Sequence, residues 1–156
     1  MAISAGAVID GTDFTFPSVT TAYGNGTNTV TATTFTVLPT TTCTAAIINP
    51  HPSLSMLTLV TYGAWMSVTA NDVRMALDIS GSITVAAGIS ASAAVGYGEI
   101  PICSTTPSNH FSGSFTIELP VSVTAATFKV YAMRSSAAGS QVCNYPTIRL
   151  IPLRFV

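Results

Sequence analysis

Charge is scarce in this chain. Only 11 of 156 residues ionise at neutral pH, five basic and six acidic, for a net charge of −1. One Lys and four Arg cannot form the basic stripe that displaces counterions from a phosphate backbone, so no nucleic-acid partner is expected. Long apolar runs are missing as well. Runs such as Ala45-Ala46-Ile47-Ile48 stop at Asn49-Pro50, far short of the roughly 18 residues a membrane helix needs, and no membrane span is predicted. Met1-Ala2-Ile3-Ser4-Ala5-Gly6 has neither the basic start nor the apolar block of an export signal, which predicts a soluble protein made in a cytosol. Disorder is excluded from the other side, because 48% of the chain is hydrophobic and 7% is charged.

Groups that carry chemistry are also few. Cys43, Cys103 and Cys143 lie 60 and 40 residues apart, without the close spacing of a zinc knuckle. An odd number makes no complete disulfide framework. They read as small buried hydrophobes in a reducing compartment, with a Cys43–Cys143 or Cys103–Cys143 bridge as the alternative. The two histidines sit in loops, His51 within Asn49-Pro50-His51-Pro52 and His110 after Ser108-Asn109. No serine has the Gly-x-Ser-x-Gly elbow of a hydrolase nucleophile. Asp72, Asp78, Glu99 and Glu118 are the candidates for the paired carboxylates of a glycosidase, and they read better as solvated carboxylates of turns and strand faces. Gly24-Asn25-Gly26 and Gly96-Tyr97-Gly98 are too short to cradle a phosphate, and no helix pattern follows either. No catalytic residue, metal site or cofactor is predicted, and the chain is read as a non-enzyme.

What the chain has in abundance is threonine and serine, 24 and 17 residues, and β-branched residues throughout favour strands. Area scaling gives a monomer of 16.1 kDa about 7,400 Å² of surface, or about one charge per 670 Å². Such a surface is either coated with hydroxyls or covered by partner subunits, and both are expected.

Periodicity places strands at 28–38, 43–48, 54–69, 73–80, 83–87, 99–103, 111–119, 127–133 and 147–155, with a short one near Phe14 and Phe16. In 54–69, Leu57, Leu59, Thr61 and Trp65 fall on one face and Thr58, Val60, Tyr62 and Met66 on the other, predicting burial on both sides. Gly63 suggests a bulge. In 73–80, Val73, Met75, Leu77 and Ile79 face inward. Pro152 suggests an edge or bulge position. The total of eight to ten strands at this spacing predicts an all-β antiparallel sandwich of jelly-roll or Greek-key type. An extended arm with one or two strands is expected over 1–40, and the sandwich domain over 41–156.

Residues 43–156 resemble the β-sandwich modules of tailed-phage virions, found in capsid decoration (cement) proteins and at tail-fibre ends. The resemblance rests on Gly63-Ala64-Trp65 closing a long apolar strand and on Val73-Arg74-Met75-Ala76-Leu77-Asp78-Ile79-Ser80-Gly81. It also rests on the closing segments Ala126-Thr127-Phe128-Lys129-Val130-Tyr131-Ala132 and Tyr145-Pro146-Thr147-Ile148-Arg149-Leu150-Ile151-Pro152-Leu153-Arg154-Phe155. It implies a homotrimer without enzymatic activity, attached to the major capsid protein or another virion protein, located on the capsid surface and made in the host cytoplasm. It transfers no catalytic residue. Tyr62, Trp65, Met66, Tyr131 and Met133 are the expected contributors to the subunit interface. The second function considered is a tail-fibre or spike tip that binds host glycan through Tyr23, Tyr97, His110 and Tyr145. The third, a depolymerase or a metal-dependent jelly-roll oxygenase, lacks clustered ligands.

Overall fold

The computed structural model describes residues 17–38, 42–68, 73–84, 103–105, 109–121, 125–134 and 141–156. They form ten strands: β1 Thr20–Tyr23, β2 Thr27–Thr29, β3 Thr36–Val37, β4 Thr44–Ile47, β5 Met56–Val68, β6 Val73–Gly81, β7 Cys103–Thr105, β8 Asn109–Leu119, β9 Ala126–Arg134 and β10 Gln141–Phe155. No helix occurs among the described residues.

The strands make two antiparallel sheets. In the first the order is β1-β10-β5-β8, with β2 also on β10; in the second it is β3-β9-β6-β7, with β4 also on β9. β1 and β2 occupy one strand position, since they pair with successive stretches of β10, 147–150 and 142–144. β3 and β4 likewise share the edge of β9. Counted by position, the first sheet runs 1-8-3-6 and the second 2-7-4-5, so every connection except β6 to β7 crosses between sheets. That order is jelly-roll wiring, and the molecule is an all-β antiparallel sandwich, as the strand spacing predicts.

Alternation along the strands builds the core. Met56, Thr58, Val60, Tyr62, Ala64 and Met66 of β5 face Val73, Met75, Leu77 and Ile79 of β6 and Phe128 and Val130 of β9, all fully or almost fully buried. The Tyr62 and Phe115 rings meet edge to face with centroids 6.5 Å apart.

Several expectations need correction. The strand expected over 28–38 is two short ones, β2 and β3, because the chain changes sheets between Val30 and Thr36. The described part of the expected arm, 17–38, is not an appendage. It supplies edge strands to both sheets and sends Val30 and Leu38 into the core. The other face of β5 is not buried: Leu57, Leu59 and Thr61 are half-buried and Trp65 is exposed. β10 begins at Gln141 rather than at 147. The alternation breaks at Tyr145-Pro146, where an extra residue bulges between the pairs Asn144↔Trp65 and Thr147↔Gly63. The bulge thus lies on β10, and the pairing of β5 with β8 runs through Gly63 unbroken. The second register shift, between Pro152 and Arg154, falls where the proline suggested it and where β10 has run past the end of β1. β6 runs on to Gly81, which at φ 102° pairs with Ala126, and Ile83 and Thr84 of the strand expected over 83–87 are not in a strand. The short strand expected near Phe14 and Phe16, residues 85–87 of that over 83–87 and residues 99–102 of that over 99–103 lie outside the described residues.

Candidate functional site

Both sheets turn an outer face away from the core, and the two faces differ in chemistry. On the second sheet, Asp78 lies directly opposite Lys129 and Arg74 opposite Met133. Tyr131 and Met133 are half-buried there, and Ala76, directly opposite Tyr131, is fully buried. This wall is mixed in charge and half-buried along its centre.

The outer face of the first sheet is more apolar and more open. Its rows follow from the register. At one end Arg154, Leu57 and Glu118 lie side by side on β10, β5 and β8. Next come Ile151, Leu59 and Thr116, then Arg149, Thr61 and Ser114 with Thr21 of β1 alongside. The following row is Tyr23, Thr147, Gly63 and Ser112, and the last is Asn144, Trp65 and His110. Leu57, Leu59 and Ile151 form an aliphatic patch at the first end, extended by Leu153, which is 45% exposed. Aromatic residues gather at the other end: Tyr23, Trp65 and Tyr145 are 66%, 42% and 62% exposed.

Two features shape the aromatic end. Gly63 is required, because a Cβ there would come 2.7 Å from the Phe111 carbonyl oxygen. With no side chain between Thr147 and Ser112, the centre of the row stays low. Opposite it, the β10 bulge holds Tyr145 at φ 50°, a left-handed conformation that costs a bulky L-residue on the order of 1–3 kcal/mol. The bulge is pinned by the β1–β2 connection. Gly24 N–H donates to Pro146 O at 2.8 Å and Tyr145 N–H to Gly26 O at 3.3 Å, and Gly26 itself sits at φ 127°. The Thr147 hydroxyl donates to Gly63 O at 3.4 Å.

The five expected interface residues do not form one patch. Tyr62 and Met66 point into the sandwich interior, where they are 2% and 0% exposed, and neither can present a surface to another subunit. Trp65 lies on the outer face of the first sheet, and Tyr131 and Met133 on that of the second. Of the four residues weighed for glycan binding, Tyr23, His110 and Tyr145 come together at the aromatic end, joined by Trp65. Tyr97 lies outside the described residues. The surface residues that sequence reasoning passed over are Leu153, Arg149 and Thr147. Their signal was alternation within 147–155, which the Pro152 shift obscures.

His51, Cys43 and Cys143 sit in structural settings. His51 Nδ1 accepts from the N–H groups of Ser53 and Leu54 at 3.2 and 2.9 Å, and its ring lies 4.8 Å from that of Phe155. Burial pushes the Cys43 thiol up to about 11, against the pull of the Gly24 and Ile148 backbone. Burial first and the neighbouring Cys43 second push Cys143 up to about 12. Both are free thiols with no exposed surface, a setting that leaves thiols unreactive near neutral pH. Among the described residues no three of His, Cys, Asp and Glu gather as a metal site would require.

No family model and no curated protein matches the sequence. Among solved structures, the Eiger TNF of S. frugiperda resembles the chain at 10% identity, covering 88% of this chain and 94% of its own, with a TM-score of 0.38. The strand order establishes the wiring without reference to it.

Proposed function

We propose that this chain is a non-enzymatic structural module that works as a homo-oligomer, the aliphatic end of the first sheet's outer face seating against a second copy. The observation that carries this reading is the row Arg154–Leu57–Glu118 beside Leu59 and Ile151. It is an apolar strip with a basic flank on the β10 side and an acidic flank on the β8 side. A head-to-tail contact brings the acidic flank of one copy to the basic flank of the next, and it closes into a ring such as a trimer when the rotation between successive copies is a whole fraction of a turn. Scarcity of charge supports the same reading, since 11 charged residues over 7874 Å² leave wide uncharged areas to be covered.

The setting suggested by the sequence resemblance is a phage virion, where the oligomer would decorate the capsid and hold neighbouring major capsid subunits together. Its test is direct. Shells assembled without the protein should bind it on mixing and then melt at a higher temperature; shells that bind none of it, or melt unchanged, would contradict the decoration role. Self-association is tested separately: Leu59→Lys should dissociate the oligomer while preserving the β-sheet circular dichroism spectrum.

A further inference from the structure

We infer that the aromatic end of the first sheet's outer face is a binding site for a linear, uncharged oligosaccharide. The site comprises Tyr23, Trp65 and Tyr145 around the low floor of Gly63, Thr147 and Ser112. It lies on the same sheet as the aliphatic strip but at the opposite end, and it does not depend on self-association.

The chemistry of the patch selects the ligand. Sugar rings present C–H faces that are apolar and slightly electropositive, which suits the electron-rich face of an indole or phenol. Their edges carry hydroxyls that both donate and accept hydrogen bonds. The floor and its neighbouring row supply matching groups: the hydroxyls of Thr147, Ser112, Thr61 and Ser114, with the Arg149 guanidinium as a donor. Charge argues for a neutral ligand. Among the described residues the rows around the site hold one fixed charge, Arg149, too little for a polyanion, and the nearest carboxylate on the face, Glu118, is at the far end.

Spacing sets the length. Tyr23 and Trp65 are separated by two strand spacings across the sheet and two residues along it, which places their backbones about 12 Å apart. That exceeds one pyranose ring, so the two aromatic planes contact different sugar units of one chain. Tyr145 stands between them on the β10 bulge. The bulge lifts an exposed aromatic out of the strand rows at the cost of a left-handed backbone, a strain that recurs where a side chain serves a ligand.

Trp65 is the one tryptophan of the chain, so its fluorescence reports the site directly. The full chain is titrated to millimolar concentration with linear hexasaccharides of β-1,4-glucose, α-1,4-glucose and β-1,4-N-acetylglucosamine, and heats are recorded in parallel. At least one should shift the Trp65 emission and release heat. Tyr23→Ala should weaken that binding about tenfold, and Trp65→Ala, followed by heat alone, about tenfold or more. Circular dichroism and sedimentation of each variant should match the parent. Leu59→Lys should bind the sugar as the parent does, which separates this site from the proposed oligomer contact. The inference is overturned if none of the three gives either signal, or if binding survives both aromatic substitutions unchanged.

Discussion

The Asn49 amide donates to the carbonyl of Leu119, 70 positions away in the chain, at 3.1 Å. The same nitrogen reaches Leu54 O and Pro120 O at 2.9 Å each, and Asn49 Oδ1 accepts from His51 N–H at 3.0 Å. One almost fully buried side chain thus ties the loop before β5 to the end of β8, where Ser55 and Val156 also exchange both backbone bonds. Asn49→Asp turns a carboxylate toward three carbonyl oxygens. It should cost about 2–4 kcal/mol and lower the melting temperature by on the order of 10 °C. A thermal melt within a degree or so of the parent would show that this staple contributes nothing.

Thr58 presents the opposite case. It is fully buried in β5, and its hydroxyl has no hydrogen-bond partner. Thr58→Val keeps the shape and removes the orphaned group, so it should stabilise the fold by about 1 kcal/mol in urea titration. Destabilisation would mean that the hydroxyl is satisfied in solution.

Gly63→Ala should be harmful for a reason unrelated to propensity. The new Cβ would stand 2.7 Å from Phe111 O and 3.3 Å from Ser112 Cβ, so β5 and β8 must part locally. The expected cost is about 1–3 kcal/mol, with fast amide exchange around Phe111. An unchanged exchange pattern would contradict the contact.

The buried thiols make stability fall at alkaline pH. Unfolded, Cys43 and Cys143 ionise from their ordinary value of 9.0; folded, they hold their protons to about 11 and about 12. The folded state therefore binds more protons above pH 9, and its stability falls as pH rises from there through the folded values. Cys43→Ala with Cys143→Ala should flatten that part of the profile relative to the parent. Parallel profiles for the two proteins would mean that the thiols are not proton-linked to folding.

Much of this architecture is legible in the sequence because strand periodicity is local. Val73, Met75, Leu77 and Ile79 alternate cleanly, and all four are buried. The surface is harder to read, because a face is made by register between strands far apart in sequence. Tyr62 and Met66 look as available for an interface as Trp65 does, and only the parity of β5 against the core separates them. Tyr23, Tyr145 and His110 become neighbours through β10 and β5, which no spacing within the chain encodes. The bulge at Tyr145 hides the first six of the fifteen residues of the longest strand, since Tyr145-Pro146 reads as a loop until β1 and β2 are seen to bend around it.

Sedimentation equilibrium of the purified chain at micromolar concentration bears most directly on whether the aliphatic end of the first sheet is an interface. The parent should weigh three times the 16.1 kDa of one chain, and Leu59→Lys should sediment as single chains. A parent that remains at the mass of one chain would contradict the proposed self-association.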